Sequence, residues 1–191
     1  MDRVLFRKIH RKIAPILFFP LLLSALTGII YRLGKSWFGM SPDTANFFMV
    51  IHQGEFLGNP IKPIYVLLVG LGLIGAIATG LTLMRRGGSD RAKNRAKKFS
   101  DRQLHRLLAP IFFLPLLLSA LTGIIYRLGK SWFGMSPDTA HLFMVIHQGE
   151  YLGDVLKPIY VLLVGLGAIA LLITGIQMLG WFRHRKGKKA V

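Results

Sequence analysis

The sequence predicts an all-α membrane protein: a four-transmembrane-helix bundle made by a tandem parallel duplication, with a short surface helix in each extracytoplasmic loop. Three observations predict it: four long stretches without charge, a lopsided placement of basic residues, and near-identity between the two halves of the chain. A length of 191 residues would suit a soluble domain, but 52% hydrophobic residues and a mean hydropathy of +0.49 sit badly with a surface facing water. Residues 13–31, 63–84, 107–126 and 158–182 contain no Asp, Glu, Lys or Arg. Each stretch is about 20 residues or longer, enough at about 1.5 Å per residue to cross a hydrocarbon core of about 30 Å. No small-residue cleavage site follows the first stretch, and the same segment recurs as the third, so it is expected to remain in the mature protein and not to act as a signal peptide.

The basic residues set the orientation. Of the 25 Lys and Arg, 19 lie before the first span, in the central segment 85–106 or in the tail after Phe182, whereas the loops 32–62 and 127–157 carry three each. The positive-inside rule therefore predicts a multi-pass protein with both termini and the central segment in the cytoplasm. The formal charge of +17 reads as a topology signal. The run GGSDRAKNRAKKFSDRQ has no interleaved aromatic platform, so no nucleic-acid partner is expected and a linker facing anionic lipid is. With no cysteine in the chain, disulfides, thiolate metal sites and c-type haem attachment are excluded.

The halves match at an offset of 95 residues: 56 of the 75 positions from His10 to Met84 recur identically in His105–Leu179 without a gap. Residues 1–84 form the first two-helix repeat, 85–104 a basic cytoplasmic linker, and 105–191 the second repeat with its basic tail. Two spans per repeat make the copies parallel, related by a pseudo-two-fold axis along the membrane normal. In each unit the first helix carries two prolines, Pro15 and Pro20 or Pro110 and Pro115, and is expected to end near Tyr31–Gly34. Ser41-Pro42-Asp43 is a helix-start signal, so a short helix is expected from Pro42 to about Leu57, broken by Gly58-Asn59-Pro60. The second span is rich in small residues, Gly70, Gly72, Gly75 and Gly80, which permit close approach of a helix or of a flat cofactor. Trp37, Trp132 and Trp181 fall where interfacial anchors belong.

The spans hold no paired carboxylates and no phosphate loop follows a strand, which leaves histidine as the residue with chemistry to offer. His10 and His105 open the first and third helices. His52 and His147 lie in the outer segments, His141 replaces Asn46 of the first copy, and His184 sits in the tail. His10 and His52 are separated by a crossing of about 28 Å, 19 residues at about 1.5 Å each, and cannot share a metal. The expected axis instead pairs His10 with His105 inside and His52 with His147 outside. Facing imidazoles across a bundle are an arrangement that holds haem b, so two haems are expected, one near each surface, with Arg11, Arg106, Arg32 and Arg127 placed to meet propionates. Interfacial histidines without a metal are the plainer reading of the same residues, and duplication copies every residue, so the second member of each pair is not independent support.

His10 opening a helix that ends PLLLSALTGIIY, followed by His52 in IHQGEFLG before a Gly-rich helix closing on Thr79-Gly80, resembles the PepSY-associated transmembrane helix family over nearly the whole chain, twice. That resemblance implies a membrane haem-b protein whose ligands match His10, His52, His105 and His147, and an activity like that of the family's ferric and ferric-siderophore reductases. Compared with larger members, no extended extracytoplasmic domain and no flavin or nicotinamide domain are expected within these residues, so the resemblance carries over no substrate or electron-input site. The expected function is a transmembrane dihaem cytochrome b in a bacterial plasma membrane or thylakoid, passing electrons between an unknown donor and an unknown acceptor as an oxidoreductase or carrier. The alternative is a cofactor-free structural or assembly subunit of a larger membrane complex. A small transporter or channel fits less well, since the spans carry no intramembrane charge.

Overall fold

The structure, a computed structural model, describes residues 3–84 and 100–179. Six α-helices account for nearly all of it: α1 Arg3–Trp37, α2 Pro42–His52, α3 Lys62–Met84, α4 Asp101–Trp132, α5 Pro137–Gln148 and α6 Gly153–Leu179. The described residues contain no strand. The chain is therefore all-α, and α1, α3, α4 and α6 contain the four spans long and apolar enough to cross a bilayer. Trp181, His184 and most of the basic linker lie outside the described residues.

Local sequence accounts for most of the boundaries. Ser41 and Ser136 sit in extended backbone and accept a hydrogen bond from the amides of Thr44 and Thr139, while Pro42 and Pro137 occupy the first helical turn, where a missing N–H costs nothing. A capping box between Ser100 and Gln103 starts α4. The prolines inside α1 and α4 lie within continuous helix.

Two boundaries differ from the sequence reading. The first spanning helix runs on past Gly34 to Trp37, and the Gly34 carbonyl then accepts from the amides of Phe38 and Met40. The short helix stops at His52, not Leu57, because Gly54 takes a left-handed conformation (φ 67°), and a 3-10 turn, Glu55–Leu57, follows. Glycine at 54 is needed on a second count: a Cβ there would lie 2.6 Å from the Tyr65 ring of α3. The same turn recurs at Gly149 (φ 68°) against Tyr160.

The four long helices pack in a square. α1 contacts α3 and α6, and α4 contacts the same two, so α1 and α4 stand on one diagonal and α3 and α6 on the other. Glycines set the close approaches: Gly70 of α3 receives Ile124 of α4, and Gly165 of α6 receives Ile29 of α1, which joins one repeat to the other. Within each repeat, Gly72 receives Leu17 and Gly167 receives Phe112. Without a hydrophobic drive between helices in lipid, association depends on such van der Waals fits. The outward faces are apolar, with Ile16, Phe19, Leu68 and Leu163 exposed where acyl chains would lie. Trp37 and Trp132, each 51% exposed, stand at the ends of α1 and α4 as interfacial anchors would.

α2 packs on α1 and α5 on α4. These short helices are the elements that carry His52 and His147 inward over the end of the square.

Candidate functional site

The centre of the square is a cavity of about 370 Å³. Such a volume falls within the ordinary range for ligand sites, roughly 300–1,000 Å³. His10 and His105 line it toward one end of the bundle, and His52, His147, Arg32 and Arg127 toward the other. All four histidines singled out from the sequence therefore reach one interior. His141 does not line it.

At the end of the bundle capped by α2 and α5, labelled outer after the orientation expected from the basic residues, the His52 and His147 ring centres are 6.5 Å apart, with the ring planes at 75°. Two metal–imidazole bonds of about 2.0 Å set end to end, with about 1.2 Å from each nitrogen to its ring centre, span roughly 6.4 Å. The observed separation therefore leaves room for one metal ion between the rings. The Nδ1 atoms are already engaged: that of His52 lies 2.9 Å from the Ser24 carbonyl, and that of His147 lies 3.0 Å from the Ser119 carbonyl and 3.1 Å from Thr122 Oγ1. A carbonyl only accepts, so Nδ1 donates in both rings and Nε2 keeps its lone pair. Among the described residues no Nε2 has a hydrogen-bond partner, yet no enclosed side-chain polar atom is left without one, so these nitrogens border open space. Burial holds both imidazoles below the ordinary histidine range, and His147, with His52 also facing it, is pushed down to about 4. Neutral imidazoles with Nδ1–H on a backbone oxygen are the form in which histidine binds a metal.

The pair at the opposite end, labelled inner in the same way, is built differently. His10 Nδ1 lies 2.9 Å from Thr79 Oγ1 on α3, and His105 Nδ1 lies 2.9 Å from Thr174 Oγ1 on α6. His10 and His105 line the same cavity, each from a different repeat.

Each ring also rests on a glycine of the neighbouring helix. A Cβ at Gly28 would meet His52 at 3.1 Å, one at Gly123 would meet His147 at 3.4 Å, and those at Gly80 and Gly175 would meet His10 and His105 at 3.5 and 3.6 Å. The chain contains four Thr-Gly dipeptides, Thr27-Gly28, Thr79-Gly80, Thr122-Gly123 and Thr174-Gly175, and each is the seat of one histidine. The sequence reading noted Thr79-Gly80 only as the close of a helix. The fourfold recurrence of the dipeptide was the available signal.

The arginines divide into two classes. Arg32 and Arg127 are 8% and 7% exposed, line the cavity beside the outer pair, and reach across the repeats: Arg32 Nη2 donates to Gln148 Oε1, and Arg127 Nη2 to Gln53 Oε1. Arg127 also lies 3.7 Å from Glu55, itself 2.9 Å from Lys62. Arg11 and Arg106 are exposed and do not line the cavity, although each follows its histidine directly. Gln53 and Gln148, which follow the outer histidines in the same way, went unmarked in the sequence because nothing local distinguishes a glutamine that waits for an arginine 74 or 116 residues away.

A family model described as the PepSY-associated TM region matches residues 33–142, a segment that runs from the end of α1 into α5 and includes His52, His105 and Arg127. No curated protein and no solved structure matches the chain.

Proposed function

The chain belongs to the PepSY-associated TM family, and on that premise we propose that it is a dihaem cytochrome b carrying electrons across the bilayer between its two histidine pairs. The observation that carries the reading is the outer pair: two imidazoles from different repeats, 6.5 Å apart, each with Nδ1 hydrogen-bonded and with no partner for Nε2 among the described residues. His52 and His147 would hold one haem and His10 with His105 the other. Bound haem would supply one-electron chemistry whose potential responds to its axial ligands and their hydrogen bonds. The glycine shelves give the rings and a flat cofactor room, the apolar helices keep water out, and Arg32 and Arg127 offer guanidinium groups to carboxylates at the outer end. His52 contacts α1 near residues 24–28, some 16 residues beyond His10, which separates the two sites by about 24 Å along the helix axis.

In this reading the termini lie in the cytoplasm of a bacterial plasma membrane or thylakoid, electrons enter from a cytoplasmic or quinol donor, and a ferric chelate is the acceptor to test first. The deciding experiment is a pyridine haemochrome assay on detergent-purified protein expressed with ample haem. The expected result is two b-haems per chain. Alanine at His52 or His147 should remove one, and alanine at His10 or His105 the other. A colourless protein that co-purifies with partner subunits would refute the proposal in favour of a structural subunit.

A further inference from the structure

We propose that Thr79 and Thr174 are positioning residues for the inner histidines, holding His10 and His105 in the Nδ1–H tautomer so that Nε2 is the nitrogen presented to a metal.

The assignment follows from where one hydrogen can go. A threonine hydroxyl has a single hydrogen to donate and two lone pairs to accept with. Thr79 Oγ1 lies 2.7 Å from the Gly75 carbonyl and 3.1 Å from that of Ala76, and Thr174 Oγ1 lies 2.7 Å from the Ala170 carbonyl and 3.2 Å from that of Leu171. Carbonyls only accept, so each hydroxyl hydrogen is committed to its own helix. The 2.9 Å contact from Oγ1 to the histidine Nδ1 must then be made with the ring nitrogen as donor. The threonine thus converts the backbone carbonyls of α3 and α6, which point along their own helices, into an acceptor facing sideways. An imidazole on the next helix can reach that acceptor.

The two ends of the bundle differ in how much they depend on this device. His52 and His147 have the Ser24 and Ser119 carbonyls within 3.0 Å, so Thr27 and Thr122 only add to an acceptor already present. For His10 and His105 the threonine hydroxyl is the acceptor at hydrogen-bond distance among the described residues. The repeat carries a second, independent sign. Between residues 75–84 and their counterparts 170–179 every position differs except Thr79-Gly80, which recurs as Thr174-Gly175. The two copies have diverged around this dipeptide while keeping it.

The role as a haem ligand rests on the function proposed above, but the tautomer does not, and the test separates them. ¹⁵N NMR of histidine-labelled, haem-free protein in detergent at pH 8 distinguishes Nδ1–H from Nε2–H imidazole. Wild type should give Nδ1–H at both inner rings. Thr79→Val should turn His10 into a mixture while His105 in the same molecule keeps its signal, which also reports that the fold is intact. Thr79→Ser should restore the wild-type pattern, and Thr27→Val should leave His52 unchanged. In haem-loaded protein, Thr79→Val should weaken binding at one of the two centres by about 10- to 100-fold, the usual cost of losing a ligand's outer partner, and raise that centre's midpoint potential. A Thr79→Val protein whose His10 stays wholly Nδ1–H, or a folded Thr79→Ser protein that fails to recover it, overturns the assignment. A colourless wild type would remove the cytochrome reading and leave the NMR result to decide this one.

Discussion

Alanine at Gly28 should damage the outer site while strengthening the helix that carries it. A Cβ at this position would stand 3.1 Å from His52 Cε1 and 3.3 Å from Nδ1, closer than carbon atoms comfortably pack. The ring must retreat by roughly 0.4 Å to reach ordinary contact at about 3.5 Å. Metal sites tolerate ligand displacements of only about 0.2 Å, and misplaced outer contacts typically cost about 10- to 100-fold in affinity. The His52–His147 separation of 6.5 Å has little slack to absorb such a shift. Gly28→Ala should therefore weaken haem binding at one centre by at least about tenfold. Helix propensity works in the opposite direction, since replacing glycine by alanine inside a helix gains about 1 kcal/mol. Gly80→Ala is the matched control, because its Cβ would meet His10 at 3.5 Å, an ordinary contact. Titrating haem into the purified apoprotein and following the visible bands, alongside thermal unfolding in detergent, separates the two effects. The reasoning fails if Gly28→Ala binds haem as wild type does, or if Gly80→Ala loses as much affinity as Gly28→Ala.

The remaining expectations concern the outer end of the bundle. A double-mutant cycle on Arg127 and Gln53 should return a coupling of about 1.5–3 kcal/mol in detergent unfolding, the range for a hydrogen bond to a charged group, and Arg127→Lys should not recover it because the fork geometry is lost. A coupling near zero would mean that the clasp between repeats adds no stability. The haem-free protein should lose stability as pH falls from about 6.5 toward 4. His147 is neutral in the folded state until about pH 4 but takes a proton near 6.5 when unfolded, so acid favours the unfolded chain in that window. The loss attributable to His147 is about 3 kcal/mol. It should shrink in a His147→Gln variant, and an unchanged pH profile in that variant would rule the mechanism out.

How much of this was legible in the sequence depended on whether the determinant was local. The spans could be read from runs without charge, and the start of α2 from Ser41-Pro42-Asp43, because the signals for both lie within a few residues. The end of α2 was misplaced by about a turn: the helix stops at the left-handed bend of Gly54, where the Tyr65 ring of α3 also leaves no room for a Cβ. The four histidines were legible as candidates, but symmetry suggested only two separate pairs, and the single cavity that all four line depends on packing that no local signal reports. The arginines were not separable: Arg11 and Arg32 look alike in sequence, and only packing exposes the first and buries the second against Gln148. The threonines were missed for a similar reason. Thr79 is 69 residues from His10, and a hydroxyl that backbonds to its own helix gives no sign of the partner it will accept from.

The same geometry gives the duplication a physical meaning. His52 belongs to one copy and His147 to the other, and the clasp at that end is reciprocal, Arg32 to Gln148 and Arg127 to Gln53. A single two-helix unit holds one imidazole of each pair and one half of each clasp, so it could complete either site only by meeting a second copy across a two-fold axis. Joining the copies makes that meeting intramolecular, at the high effective concentration a short tether provides. It also frees the copies to differ. His141 stands where the first copy has Asn46, and Phe112 fills against Gly167 the place that Leu17 fills against Gly72. A homodimer must keep both halves of each site identical, whereas a fused pair can tune each half separately. What the copies have kept in common at the inner end, Thr79-Gly80 and Thr174-Gly175 amid altered neighbours, is then the part of the unit that both histidine seats still require.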